Sequence, residues 1–200
     1  MKKLVVLSIL LTLTIGQIAF AQSDVKLNSF SIAGGQGALT SGVVLTADFS
    51  LNDDLILFSI GEKDVYAAYL KKLGFIYGGP SLEYFHNIPT LGLFSIVPIY
   101  SAEKFSFSVM NWSGISAGTP GEKADLLNWK PLFCYSSATL AYGPISLSTA
   151  TMWYADKWGW LFELCYKQKL TDNISAFTSG GYNYYGDGNY LFKIGLSYDF

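Results

Sequence analysis

The chain holds one histidine, two cysteines and a scatter of charged residues at alternate positions. His86, in Glu83-Tyr84-Phe85-His86-Asn87, is a residue type that serves as a general base, and serines are plentiful. The bland alternative is a polar loop histidine beside aromatic residues. Asp48, Glu83, Lys104, Glu163, Lys167, Lys193 and Asp199 fall on the polar sides of alternating stretches. Such charges either line an aqueous pathway, where mixed sign gives weak selectivity, or pair with one another and fill the space between them. Cys134 and Cys165 sit on candidate strands that are second neighbours, roughly 10 Å apart. A disulfide needs Cα atoms within about 7 Å, so two free, packed thiols are expected. No spacing resembles a zinc site. The pieces Gly34-Gly35-Gln36-Gly37 and Gly78-Gly79-Pro80 do not lead into helices, so they are turns or kinks and not phosphate cradles. Neither a metal nor a cofactor is expected.

The elements that must carry these residues are strands. From Tyr190 onward, Tyr190, Phe192, Ile194, Leu196, Tyr198 and Phe200 alternate with Leu191, Lys193, Gly195, Ser197 and Asp199. Period two at this length is a strand with one apolar and one mostly small or charged face. About 9–11 residues is also what a tilted strand needs to cross a bilayer.

The stretch Lys193-Ile194-Gly195-Leu196-Ser197-Tyr198-Asp199-Phe200 resembles the C-terminal assembly signal of bacterial outer-membrane β-barrels. In that signal a polar residue and a glycine precede alternating aromatic or apolar residues that end on Phe. Lys193, Gly195, Tyr198 and Phe200 carry the likeness. It implies a Gram-negative outer-membrane location, contact with outer-membrane lipid, and delivery by the barrel-assembly machinery. Some barrels of this class are lipid A deacylases, palmitoyltransferases or phospholipases, with His–Ser or His–Asp–Ser groups near the outer rim. His86 falls at such a rim, but none of the motifs those enzymes carry around their serine accompanies it.

The other end of the chain agrees. Lys2 and Lys3, the apolar run Leu4 to Ile18, and Ala19-Phe20-Ala21 read as a secretory signal peptide cleaved after residue 21. Residues 22–200 then form one domain. Charged residues make up 14% of the chain, against about 25% in soluble domains, while Tyr, Phe and Gly number 14, 14 and 20. All 13 basic residues are lysine. Losing Lys2 and Lys3 leaves eleven lysines against 15 acids, a net charge of −4. That argues against nucleic acid as a partner.

Further strands are expected over 26–34, 43–52, 55–60, 75–84, 90–100, 104–112, 130–142, 145–154, 159–168 and 174–184. Asp64 to Leu73 reads either as a strand, for twelve in all, or as a short helix capped by Asp64, for about ten. Twelve is preferred, because about 15 residues per strand plus connection divides the chain that way. With Phe200 periplasmic, the connections at 102–103, 143–144 and 170–173 fall on the periplasmic side. The longer loops Ser113–Asn128 and Tyr185–Asn189 fall outside. Aromatics near strand ends, among them Tyr77, Trp112, Trp153, Tyr154, Trp160 and Tyr184, are expected in interfacial belts.

The expected protein is an all-β, transmembrane, antiparallel up-and-down barrel of about 10–12 strands. The leading function is a porin-like small channel or binding barrel for small solutes. The alternatives are a structural or adhesion barrel acting through its outer loops, and a lipid-modifying enzyme using His86.

Overall fold

The computed structural model describes residues 25–36, 41–62, 64–85, 88–118, 123–154, 157–184 and 189–200. Residues 1–21, expected to be a signal peptide, His86, and residues 185–188 of the expected Tyr185–Asn189 loop lie outside them. The described residues form twelve strands: β1 Val25–Gln36, β2 Ser41–Leu51, β3 Asp54–Ile60, β4 Asp64–Leu73, β5 Ile76–Phe85, β6 Ile88–Ser101, β7 Phe105–Ser116, β8 Lys130–Tyr142, β9 Ile145–Tyr154, β10 Lys157–Lys169, β11 Ile174–Asn183 and β12 Asn189–Asp199. Each pairs antiparallel with its chain neighbour, and β1 pairs with β12, so the sheet closes into a barrel without an edge.

Asp64–Leu73 is strand β4 and not a helix. Its inward side chains recur at period two, and Ala68 and Leu70 are buried there. A helix at this point would also leave β3 and β5 as open edges.

Alternation sorts the two faces. On β12, Phe192, Ile194 and Leu196 are 57%, 60% and 48% exposed, while Leu191 and Ser197 are buried. The same parity, carried through the registers, gives one apolar outer surface: Phe30 and Ile32 on β1, Leu147 on β9, Leu164 on β10. Apolar side chains dominate this face, and a closed barrel satisfies its backbone internally, as a bilayer demands.

The start of β1 and the end of β12 share one rim, the terminal end, with the connections 52–53, 74–75, 102–104, 143–144 and 170–173. Asn52 and Gly143 begin two-residue hairpins at φ 55°, a region in which the backbone twist matches the flanking strands. The longest connection, 117–129, stands at the opposite, loop end. The three connections expected on one side therefore do lie together. β7 continues to Ser116 instead of breaking at Ser113, because Ile115 and Ser116 still pair with Pro131 and Lys130 past a register shift.

Outward aromatics gather at both rims. Near the loop end, Trp160 stacks on Tyr184 with centroids 4.2 Å apart and Tyr182 packs on Tyr190 at 5.0 Å. At the terminal end, Tyr198 meets Phe200 at 4.6 Å and Tyr100 meets Phe105 at 5.5 Å. Tyr77, Trp112 and Tyr154 are exceptions to the expected belt. They share registers with Ile96, Phe94 and Phe133 on the inward face, so their rings fill the barrel.

Candidate functional site

The barrel interior is divided lengthwise. Strands β3 to β7 contribute a packed half: Ala68, Leu70 and Phe94 form its centre, with Leu55, Leu57, Tyr66, Ile96, Met110 and Trp112 against them. These positions alternate apolar inside as well as outside, so this part of the wall is sealed by its own side chains. Trp112 Nε1 donates to Ser81 Oγ at 3.1 Å, which satisfies the one polar atom of a ring otherwise enclosed by Tyr66, Phe94 and Phe133.

Strands β8 to β12 with β1 and β2 carry a polar strip toward the terminal end, while their inward positions near the loop end, Ala150, Met152, Leu161 and Leu191, are apolar and buried. Ser29 Oγ donates to Asp48 Oδ2 at 2.9 Å, and the Ser31 and Thr46 hydroxyls are 2.5 Å apart. Thr139 and Ser148 hydroxyls meet at 2.9 Å. Buried Ser175, Ser179 and Ser197 extend the polar strip. Two ion pairs lie on it. Lys193 Nζ is 2.7 Å from Glu163 Oε1, and Lys167 Nζ is 3.8 Å from Asp199 Oδ2. Small hydroxyl side chains and two pairs of opposite charge make this wall polar and nearly neutral.

Of the seven charged residues singled out in the sequence, five meet on this strip: Asp48, Glu163, Lys167, Lys193 and Asp199. Glu83 also points inward but belongs to the packed half, where it is 8% exposed. Lys104 does not reach the interior. It lies in the turn between β6 and β7 at the terminal rim and is exposed, because β7 begins one residue later than the alternation suggested. Cys165 points inward beside Ser146 and Ser179, whereas Cys134 is exposed on the outer face opposite Ser113 and Trp153. Both are thiols, and the sheet itself stands between them. Cys134 is therefore not a packed thiol. Sequence reading missed Lys26, Lys72 and Asp64 as inward charges. Their alternation was legible, but a bulge between Leu27 and Ser29 shifts the parity of β1.

Among the described residues no group of three His, Cys, Asp or Glu could hold a metal ion.

A closed antiparallel barrel with an apolar exterior, aromatic rims and a half-polar interior has the fold of an outer-membrane β-barrel of the porin type. Solved structures with this fold include the KdgM porin, alone and in complex with disordered oligogalacturonate, and the NanC porin. The KdgM complex matches with a TM-score of 0.56 at 9% identity, over 88% of this chain and 99% of that one. KdgM alone gives 0.52 at 9% identity, over 88% and 99%. NanC gives 0.58 at 12% identity, over 88% and 100%. No family model matches the sequence, and no curated protein matches it.

Proposed function

We propose that this chain is a non-catalytic outer-membrane channel for small solutes, with the polar strip of β8 to β12, β1 and β2 as its pathway. The carrying observation is the division of the interior. Strands β3 to β7 are filled by aromatic and aliphatic side chains, and the remaining strands carry, toward the terminal end, hydroxyls and the Lys193–Glu163 and Lys167–Asp199 pairs. Twelve strands lie between the eight that side chains fill and the sixteen or more that leave a wide channel. A half-filled interior suits a narrow path. The fold shared with the KdgM and NanC porins supports the same reading. Here lysines face acids in near balance and arginine is missing, which favours small solutes of low net charge.

In this reading Phe200 and the row before it direct insertion by the barrel-assembly machinery, and the loop end faces outward. Single-channel recording in planar bilayers tests it. Discrete conductance steps, and swelling of loaded liposomes in small sugars or amino acids, are expected. A silent, correctly folded barrel would favour the second reading, a structural or adhesion barrel. The described part of the 117–129 connection supports that alternative. It folds back on the barrel, with Ala117 N donating to Pro89 O and a Cβ on Gly118 placed 3.5 Å from Ile88.

A further inference from the structure

The outer wall carries polar side chains at the depth where a bilayer is driest. One register row starts at Lys71 on β4, passes Ser95, Asn111, Ser136 and Thr151 on β6 to β9, and ends at Trp160 on β10. Residues paired in this way share a face, and exposed Asn111, Thr151 and Trp160 mark it as the outer one. Strands of a barrel tilt against its axis, so such a row climbs from one rim toward the other. Lys71 lies two residues from the terminal-end tip of β4, and Trp160 belongs to the loop-end belt. Asn111 stands three strands from each, at mid-height of the wall.

Elsewhere the outer face presents residues such as Ile32, Leu164 and Leu196. Here Ser136 Oγ donates to Asn111 Oδ1 at 2.7 Å, and among the described residues that is the one hydrogen bond made by side chains of the polar row. It leaves the Asn111 Nδ2 group without an acceptor. Hydrocarbon offers none, and an unmet amide there is costly. Polar side chains on lipid-facing surfaces of this kind hold spanning elements together.

A shallow groove of about 540 Å³ adjoins the row on its loop-end side. Ser113, Gly114 and Cys134 give it a floor of small side chains, between Leu93 on β6 and Trp153 on β9. Leu93 itself is 68% exposed, an apolar knob beside an apolar hollow. An acyl chain could fill the groove but would leave the amide unmet, and lipid headgroups do not reach mid-height. A carboxamide is its own complement, with donors on nitrogen and an acceptor on oxygen. A twofold axis near Asn111 brings two such groups together and sets each Leu93 against the other copy's groove.

We propose that the outer face of β6 to β9 is the contact between two copies of this chain, centred on Asn111. The contact rests on the outward face of the barrel and holds whether or not the interior conducts.

The test uses the full mature chain with Cys165→Ser, folded in phosphatidylcholine liposomes over a series of protein-to-lipid ratios. Cys134, beside the row, is the reporter: a lipid-soluble bismaleimide should link two copies into a dimer band that grows with that ratio. Asn111→Leu removes an amide from each copy, suits a lipid-facing position, and should weaken association about tenfold. Asn111→Gln keeps the carboxamide and should retain most of the dimer. Ile194→Ala, on the outer face of β12, should leave it unchanged. Sedimentation equilibrium in micelles should rank the variants in the same order without any reagent. A monomer at every ratio would overturn the proposal, as would equal dimerisation by Asn111→Leu. A ladder of higher species would overturn the twofold contact, and a monomer that retains lipid would give the groove to an acyl chain instead.

Discussion

Lys193 and Glu163 form an ion pair across an intervening strand. Their strands, β12 and β10, are separated by β11, yet Nζ and Oε1 are 2.7 Å apart. Ser179 faces Lys193 and Gly181 faces Glu163 on the strand between. A Cβ on Gly181 would lie 2.1 Å from the Phe162 carbonyl, so nothing larger fits beneath the pair. The two side chains are 32% and 19% exposed, wet enough to be felt by a passing ion.

That pair should set ionic preference. Lys193→Met leaves Glu163 uncompensated and should move the reversal potential in a salt gradient toward cation selectivity. Glu163→Gln should move it toward anions, and the double variant should return near wild type. Each single change should cost on the order of 1 kcal/mol in folding stability. Unchanged reversal potentials in both single variants would place the conducting path elsewhere.

Neighbouring residues of β9 should differ sharply in their tolerance of charge. Leu147 faces outward and is 47% exposed, while Ser148 faces inward opposite Glu163. Leu147→Lys should cost about 2–4 kcal/mol if it lies near the bilayer midplane. Ser148→Lys should cost far less, because it meets a carboxylate. Urea unfolding in liposomes measures both, and equal costs would contradict the assignment of faces.

The two thiols should report the two environments. Cys165 lines the polar interior, so a small, charged methanethiosulfonate reagent should modify it in folded barrels and lower conductance. Cys134, on the outer face, should react with a lipid-soluble maleimide and resist the charged reagent in membranes. Protection of Cys165 from the charged reagent would mean the polar half is closed to water.

Orientation has its own check. Leu127, in the longest connection, is 97% exposed. An epitope tag inserted beside it should leave folding intact and bind antibody on intact cells. Recognition only after the outer membrane is opened would invert the topology.

The terminal aromatic row should govern assembly. Deleting Phe200 is expected to lower the amount inserted in the outer membrane while leaving export unaffected, as read by fractionation. Full insertion of the truncated chain would separate Phe200 from any signalling role.

Strand character was legible because it is local: the period of two from Tyr190 to Phe200 needs no knowledge of neighbours, and each residue's face follows from its own position. Hairpin sides followed from counting, since every antiparallel connection reverses the end of the barrel. Asp64–Leu73 was ambiguous because Val65, Ala68, Tyr69 and Leu73 satisfy a helical spacing as well. Only the exposed edges of β3 and β5 decide against it, and those exist only in the assembled sheet. Lys104 shows the limit of local reading in another way, for one residue of strand boundary separates an interior position from a turn. The tertiary structure alone decided that Trp112, Tyr77 and Tyr154 fill the barrel instead of lining its rims. It alone placed Glu83 beside aromatic rings carried by β7, β8 and β9. Barrel closure brings together residues far apart in the chain, and no periodicity within one strand records which of them will meet across the interior.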